Sequence, residues 1–204
     1  MTGAEHGGRD LPAGVHSEIV ENSLPRHWNA CGLAAVASVL ARLRAGAWAA
    51  EAPPDVTSEL DRLIARFPPD MPFGLGTTSF RIAAALRAHG VEAEAAHGGF
   101  AARQAQSVFA RARAVIDRGG IVPVCVDDGW LGGPPFSAHW AMLIDVDDQG
   151  VRLGNCRVAR LTLPDFLRAW SCPQLPYTHN ACAILAPTTA ATPKSDFSVA
   201  TTEK

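Results

Sequence analysis

Residues 28–36, Trp-Asn-Ala-Cys-Gly-Leu-Ala-Ala-Val, decide both the fold and the chemistry that this chain can support. Apolar residues from Leu33 to Leu43 recur at helical spacing, which predicts a helix over residues 31–44 with Cys31 at its start. A helix N-terminus carries partial positive charge and N–H groups without intrahelical partners. Both features favour a thiolate over a thiol, and the N–H groups can also stabilise an oxyanion. Cys31 is therefore the predicted nucleophile.

A nucleophilic cysteine needs a base and an orienting group, and both residue types occur late in the chain. His139 begins a predicted strand over residues 139–146, and Asn155 ends the next predicted strand, over 151–155. A turn-forming stretch joins these two strands as a hairpin. Together with Cys31, the two residues form a predicted Cys-His-Asn catalytic set.

Composition limits the class of protein. A chain of 204 residues with 48% hydrophobic content is expected to form one domain with a proper core. The net charge of −2 gives no electrostatic basis for binding nucleic acid. No run of about 18 apolar residues is present, so we expect no membrane span, and the polar start of the chain has no signal-peptide core.

Cysteine usage points to a reducing compartment. Five cysteines without a C-x-x-C pair predict neither a disulfide framework nor a common zinc site. We therefore expect a cytoplasmic protein whose reaction needs no metal and no organic cofactor. The four cysteines other than Cys31 are expected to be core thiols rather than ligands, namely Cys125, Cys156, Cys172 and Cys182.

The periodicity changes along the chain from helical to strand-like. Helices come first and an antiparallel sheet second, which predicts an α+β domain in two lobes. We expect a flexible arm over residues 1–23, one domain over 24–186 and a disordered tail over 187–204. The further predicted helices cover 57–67, 79–89, 101–118 and 163–170, and the further strands cover 91–96, 121–126 and 181–185.

The stretch Asn-Ala-Cys-Gly-Leu-Ala-Ala-Val resembles the nucleophile helix of papain-like cysteine peptidases. More narrowly, the chain is similar to the bacteriocin-processing, double-glycine leader peptidase branch and its free-standing relatives. Four later segments resemble that branch in the same order, and the likeness covers roughly residues 25–186. These segments are the glycine-introduced helix near 76–91, the helix-to-strand entry at 114–124, the histidine-bearing strand at 138–146 and the closing helix at 163–170.

Two positions depart from that family's pattern. The family carries aspartate followed by proline as its third catalytic member, whereas this chain has Asn155-Cys156. Asparagine orients the histidine in papain itself, so the resemblance implies that the side-chain oxygen of Asn155 holds the imidazole. The family also carries a glutamine six residues before the cysteine, where this chain has Pro25. Asn29 and His27 are the candidate oxyanion donors in its place.

The resemblance implies a thiol enzyme that cleaves a peptide or amide bond through an acyl-enzyme thioester. Two alternatives stay open: an acyltransferase that takes an acyl group from a carrier-protein thioester, and a peptide-binding protein with little catalytic activity. The expected partner is accordingly a peptide or an acyl thioester, carried by a precursor peptide or a carrier protein. Large aromatic residues near the three catalytic positions are the candidate cleft walls, namely Trp28, Trp130, Phe136 and Trp140.

Overall fold

The computed structural model describes residues 29–45, 56–70, 76–97, 102–118, 120–135, 137–171 and 182–185. The predicted arm over 1–23 and the predicted tail over 187–204 lie outside these described residues. So do Pro25, His27, Trp28, Phe136 and Cys172.

The described residues contain five helices that follow the predicted apolar patterns. The first matches the predicted nucleophile helix, and the last spans the predicted eight residues. Thr78 and Thr162 cap two of them, because each threonine side chain accepts a backbone N–H three residues further on. The helices are α1 (Cys31–Ala45), α2 (Val56–Arg66), α3 (Ser79–Ala88), α4 (Ala102–Ile116) and α5 (Leu163–Trp170).

The strands form one antiparallel sheet in the order β1-β6-β2-β3-β4-β5. The strands that carry the candidate site, β2 to β4, are therefore neighbours in space as well as in sequence. Their bounds are β1 (Ala93–Ala96), β2 (Val122–Asp127), β3 (Ala138–Asp147), β4 (Gly150–Gly154), β5 (Arg160–Leu161) and β6 (Cys182–Leu185).

The α+β class predicted from the sequence is confirmed, with helices and an antiparallel sheet in one small domain. Two details of the sheet differ from the prediction. β1 precedes α4 in the chain yet joins the edge of the sheet beside β6, so the sheet is not purely C-terminal. β5 was not predicted, because two residues are too few to show a period.

The start of α1 is packed against β3 and the segment before α3. A Cβ atom on Gly32 would lie 2.8 Å from Cβ of Thr77 and 3.1 Å from Cδ1 of Trp140, so only glycine fits without displacement. Further along the helix, Leu33 and Val36 are fully buried. The small residues around Cys31 therefore let the sheet approach the helix start. Within the described residues, no helix combines the length and the apolar character needed to cross a membrane.

Candidate active site

Cys31 is the first residue of α1, and two backbone N–H groups donate hydrogen bonds to its sulfur atom. The helix begins with the bond from the Ala34 N–H to the Ala30 carbonyl, at 2.8 Å. The Sγ atom of Cys31 accepts from the backbone N–H of Gly32 and from the backbone N–H of Trp140. A negatively charged sulfur therefore meets donors from both the helix and the sheet.

His139, the second residue of β3, contacts the Cys31 thiol through a side-chain hydrogen bond. The other side of its ring is fixed, since Nε2 lies 2.5 Å from the backbone carbonyl oxygen of Asn155. A carbonyl oxygen only accepts, so Nε2 must carry a proton. Nδ1 is then the nitrogen left to take the proton from Cys31. The structure thus brings the predicted nucleophile and base together in the tautomer that base catalysis requires.

Asn155 lies where the sequence predicts the orienting residue, but the predicted role of its side chain is wrong. The main-chain carbonyl, not the side-chain oxygen, holds the imidazole. The side chain turns away and donates from Nδ2 to the carbonyl of Trp140 at 3.1 Å. The reason is the backbone, which adopts a left-handed conformation at Asn155 with φ of 57°. Asparagine tolerates this conformation better than most residues, and it points the carbonyl at His139.

Trp140 supports the site from within the core. The prediction that it forms a cleft wall is therefore wrong. Its side chain is only 2% exposed, so it lines no open surface. Nε1 donates to the carbonyl of Thr77 at 2.8 Å, and the ring packs beside Gly32. One residue thereby fixes the helix start, the segment before α3 and the histidine strand with respect to each other.

The electrostatics of the cysteine–histidine pair favour its charged form. Burial raises the pKa of the Cys31 thiol, but the hydrogen bond and charge of His139, with the N–H groups of Trp140 and Gly32, bring that pKa below its ordinary value. Burial lowers the pKa of His139, but the bond and charge of Cys31 and the Asn155 carbonyl outweigh burial and raise it. These opposite shifts are the signature of a thiolate–imidazolium pair.

Asp128, which the sequence analysis did not single out, lies close enough for its charge to add to the raised pKa of His139. It follows β2 directly, its side chain is 15% exposed, and Oδ1 lies 3.8 Å from Nε of Arg157. The sequence carried one usable signal for Asp128. If the strand over 121–126 pairs with the strand that starts at His139, the residues just after the first strand lie beside the histidine.

The other described cysteines differ from Cys31. Cys125 is 1% exposed and lies in the core, as predicted. Cys156 is half-buried and packs against the core. Burial and the charge of Asp128 raise the pKa of the Cys156 thiol, and the N–H groups of Val158 and Arg157 only partly oppose them. Cys182 lies in β6.

The remaining predicted site residues are only partly described. Asn29 is half-buried, two residues before Cys31, and its role as an oxyanion donor stays a prediction. Trp130 is 54% exposed, with the guanidinium carbon of Arg168 5.8 Å from its ring centre, and its role as a cleft wall likewise stays a prediction. His27, Trp28 and Phe136 lie outside the described residues. Within the part of the chain that the structure describes, no group of three or more His, Cys, Asp or Glu side chains could hold a metal ion.

Neither the protein-family models nor the curated proteins compared with this chain match it. Any assignment of function therefore rests on the geometry of the site and on the resemblance of the sequence segments.

Proposed function

We propose that this protein is a papain-like thiol enzyme that cleaves a peptide or amide bond through an acyl-enzyme thioester. The observation that carries the proposal is the hydrogen-bonded pair of Cys31 and His139, with the pKa of the thiol lowered and that of the imidazole raised. A half-buried pair of this kind is costly to maintain for structural reasons alone, because burial disfavours both charges.

The fold is compatible with the papain-like arrangement. Its nucleophile helix α1 contacts β2 and β3, so the helix start faces the strand that bears the histidine. The same arrangement of helix, cysteine and histidine strand is what the segment resemblance implies. A two-lobed cleft of the papain type between them is part of the proposal.

The reaction proceeds in two steps. In acylation, the Cys31 thiolate attacks the carbonyl carbon, the S–C bond forms, and the amide C–N bond breaks as the His139 imidazolium gives its proton to the leaving nitrogen. In deacylation, His139 takes a proton from water, whose oxygen attacks the thioester and releases a carboxylic acid and the thiolate. The backbone N–H of Cys31, at the first position of α1, is the proposed main-chain donor to the oxyanion.

The test offers the full-length protein two acyl donors separately and weighs the intact protein by mass spectrometry. One donor is a peptide that contains a double glycine, and the other is an acyl thioester of N-acetylcysteamine. We expect the peptide to be cleaved, with an acyl adduct on Cys31 in samples quenched with acid before deacylation is complete. Cleavage and adduct should persist in Cys156→Ala, the matched control, and disappear in Cys31→Ala.

The outcome separates the proposal from its two alternatives. An adduct from the thioester without cleavage of the peptide would favour an acyltransferase. The absence of both peptide cleavage and an adduct from either donor would contradict the enzyme proposal and favour a protein that only binds peptide.

A further inference from the structure

Asp128 shares a face of the sheet with His139. Val126 is the register partner of His139, and the N–H of Asp128 donates to the carbonyl of Ser137 at 2.8 Å, which continues the pairing past the end of β2. Side chains two residues apart on a strand point to the same face. Asp128 is therefore the diagonal neighbour of His139 across the strand pair. At this spacing the charge of Asp128 can act on the imidazole.

The turn that follows β2 holds the Asp128 carboxylate in place. The carbonyl of Asp128 accepts the N–H of Leu131 at 3.0 Å and the N–H of Gly133 at 2.8 Å. A Cβ atom on Gly133 would lie 2.1 Å from Oδ2 of Asp128, so the carboxylate packs directly against the glycine backbone. The turn therefore fixes the backbone of Asp128, and its carboxylate lies half-buried beside Gly133.

The other groups around His139 leave room for one negative charge besides the thiolate. Cys31 faces the ring from α1, and Asn155 presents a neutral carbonyl from the end of β4. Arg157 carries the nearest described positive charge to Asp128, with Nε at 3.8 Å, and is itself 62% exposed. The orienting group is neutral, so Asp128 adds a second negative charge near the imidazolium besides that of the thiolate.

We propose that Asp128 is a positioning residue that supplies the negative charge stabilising the His139 imidazolium, and that Arg157 moderates this charge. The proposal rests on the thiol-enzyme function above and names a member of its machinery that the sequence pattern does not contain. The direction of the pKa shift at His139 is consistent with it: burial lowers that pKa, and Asp128 is among the groups that raise it.

The test is a ¹³C NMR titration of His139 in full-length protein that carries Cys31→Ser. The serine removes the thiol, so the imidazole titrates without a coupled partner. Asp128→Asn should shift the titration midpoint to lower pH, because the stabilising negative charge is lost. Arg157→Gln should shift the midpoint to higher pH, because the opposing positive charge is lost. A merely structural role for Asp128 would not give shifts of opposite sign.

Asp147→Asn is the matched control, because Asp147 also pairs with an arginine, Arg160 of β5, and lies on the same strand as His139. It lies eight residues beyond His139 on β3, about 26 Å away along an extended strand and well past the screening length in physiological salt. The control should leave the midpoint unchanged. An unchanged or raised midpoint in Asp128→Asn, or an unchanged one in Arg157→Gln, would overturn the proposal. Failure of the thiol-enzyme function would show instead as the absence of both peptide cleavage and a Cys31 adduct, with these titration shifts intact.

Discussion

Cys31 contacts His139 and Cys156 directly follows the residue that holds it, yet the surroundings of the two cysteines shift their pKa values in opposite directions. Both are partly exposed, and burial raises the pKa of both thiols. At Cys31 the imidazole and two backbone N–H groups outweigh burial and lower that pKa. At Cys156 the carboxylate of Asp128 adds to burial and keeps the thiol protonated.

The difference shows that position relative to donors, not exposure, sets the direction in which the pKa of each thiol is shifted. Cys31 lies at a helix N-terminus and in contact with His139, whereas Cys156 follows the left-handed turn at Asn155 and lies beside a negative charge. The same carboxylate that stabilises the imidazolium therefore disfavours the thiolate at Cys156. Each prediction below changes one part of this contrast.

The largest effect is expected from His139→Ala. Removing the imidazole takes away the base and the positive charge, and burial then raises the pKa of the Cys31 thiol, as it does at Cys156. We expect the acylation rate to fall by on the order of 100-fold or more. Measured alkylation rates of Cys31 and Cys156 at neutral pH should become similar. His89→Gln, which changes a histidine that bonds to the Ala85 carbonyl in α3, is the control and should preserve the contrast.

Two substitutions of Asn155 test how the histidine is held. Asn155→Gly keeps the left-handed backbone and the carbonyl that binds His139, and loses one hydrogen bond, about 1 kcal/mol. Asn155→Asp places a carboxylate oxygen next to the Trp140 carbonyl, so this buried carbonyl loses its hydrogen-bond donor. We expect the free energy of unfolding to fall by about 1–3 kcal/mol. The glycine variant should therefore lose less free energy of unfolding than the aspartate variant, measured by urea denaturation, and should keep the preferential alkylation of Cys31 over Cys156. Loss of that preference in the glycine variant would mean that a side-chain oxygen holds the imidazole.

Gly32→Ala should weaken the packing that brings the helix to the sheet. The added methyl group would overlap Cβ of Thr77 and crowd Trp140, which predicts a loss of about 1–3 kcal/mol in the free energy of unfolding. Urea denaturation measures it. Gly90→Ala is the control: the space around Gly90 is open, so only its φ of 77° opposes a side chain, at about 1 kcal/mol. Equal losses in the two variants would contradict the close contact at Gly32.

The positions of Cys31 and His139 in the fold could be predicted from the sequence because both mark the edge of a strongly periodic segment. The apolar repeat of α1 begins immediately after Cys31, and the run from Trp140 to Ile144 forms a buried strand. The closing helix over residues 163–170 was predictable for the same reason, since a capping threonine precedes it and a proline lies in its first turn.

The role of the Asn155 backbone could not be predicted, and strand pairing alone indicates only the neighbourhood of Asp128, not its part. A sequence pattern names side chains, but the atom that holds His139 is a main-chain carbonyl, aimed by a left-handed φ that asparagine only permits. Asp128 acts across a strand pair whose register depends on the turn between the strands. Both features arise from tertiary geometry rather than from local periodicity.

The smallest effect is expected from Asp147→Asn, which changes an exposed ion pair far from both cysteines. The side-chain hydrogen bond from Arg160 lowers the pKa of Asp147, so its contribution to stability is present at neutral pH and is lost as pH falls through that lowered pKa. We expect the substitution to lower the free energy of unfolding by at most about 1 kcal/mol at neutral pH, and by less in acid. Urea denaturation across that pH range measures it, and the alkylation contrast between Cys31 and Cys156 should not change.

The rate at which iodoacetamide alkylates each cysteine of the unmodified protein, followed by mass spectrometry as a function of pH, tests the central claim most directly. The account predicts that Cys31 reacts well below the ordinary pKa of a thiol, whereas Cys156 reacts only above it. If Cys156 reacts as fast as Cys31 at neutral pH, Cys31 is not an activated nucleophile and the proposed function is contradicted.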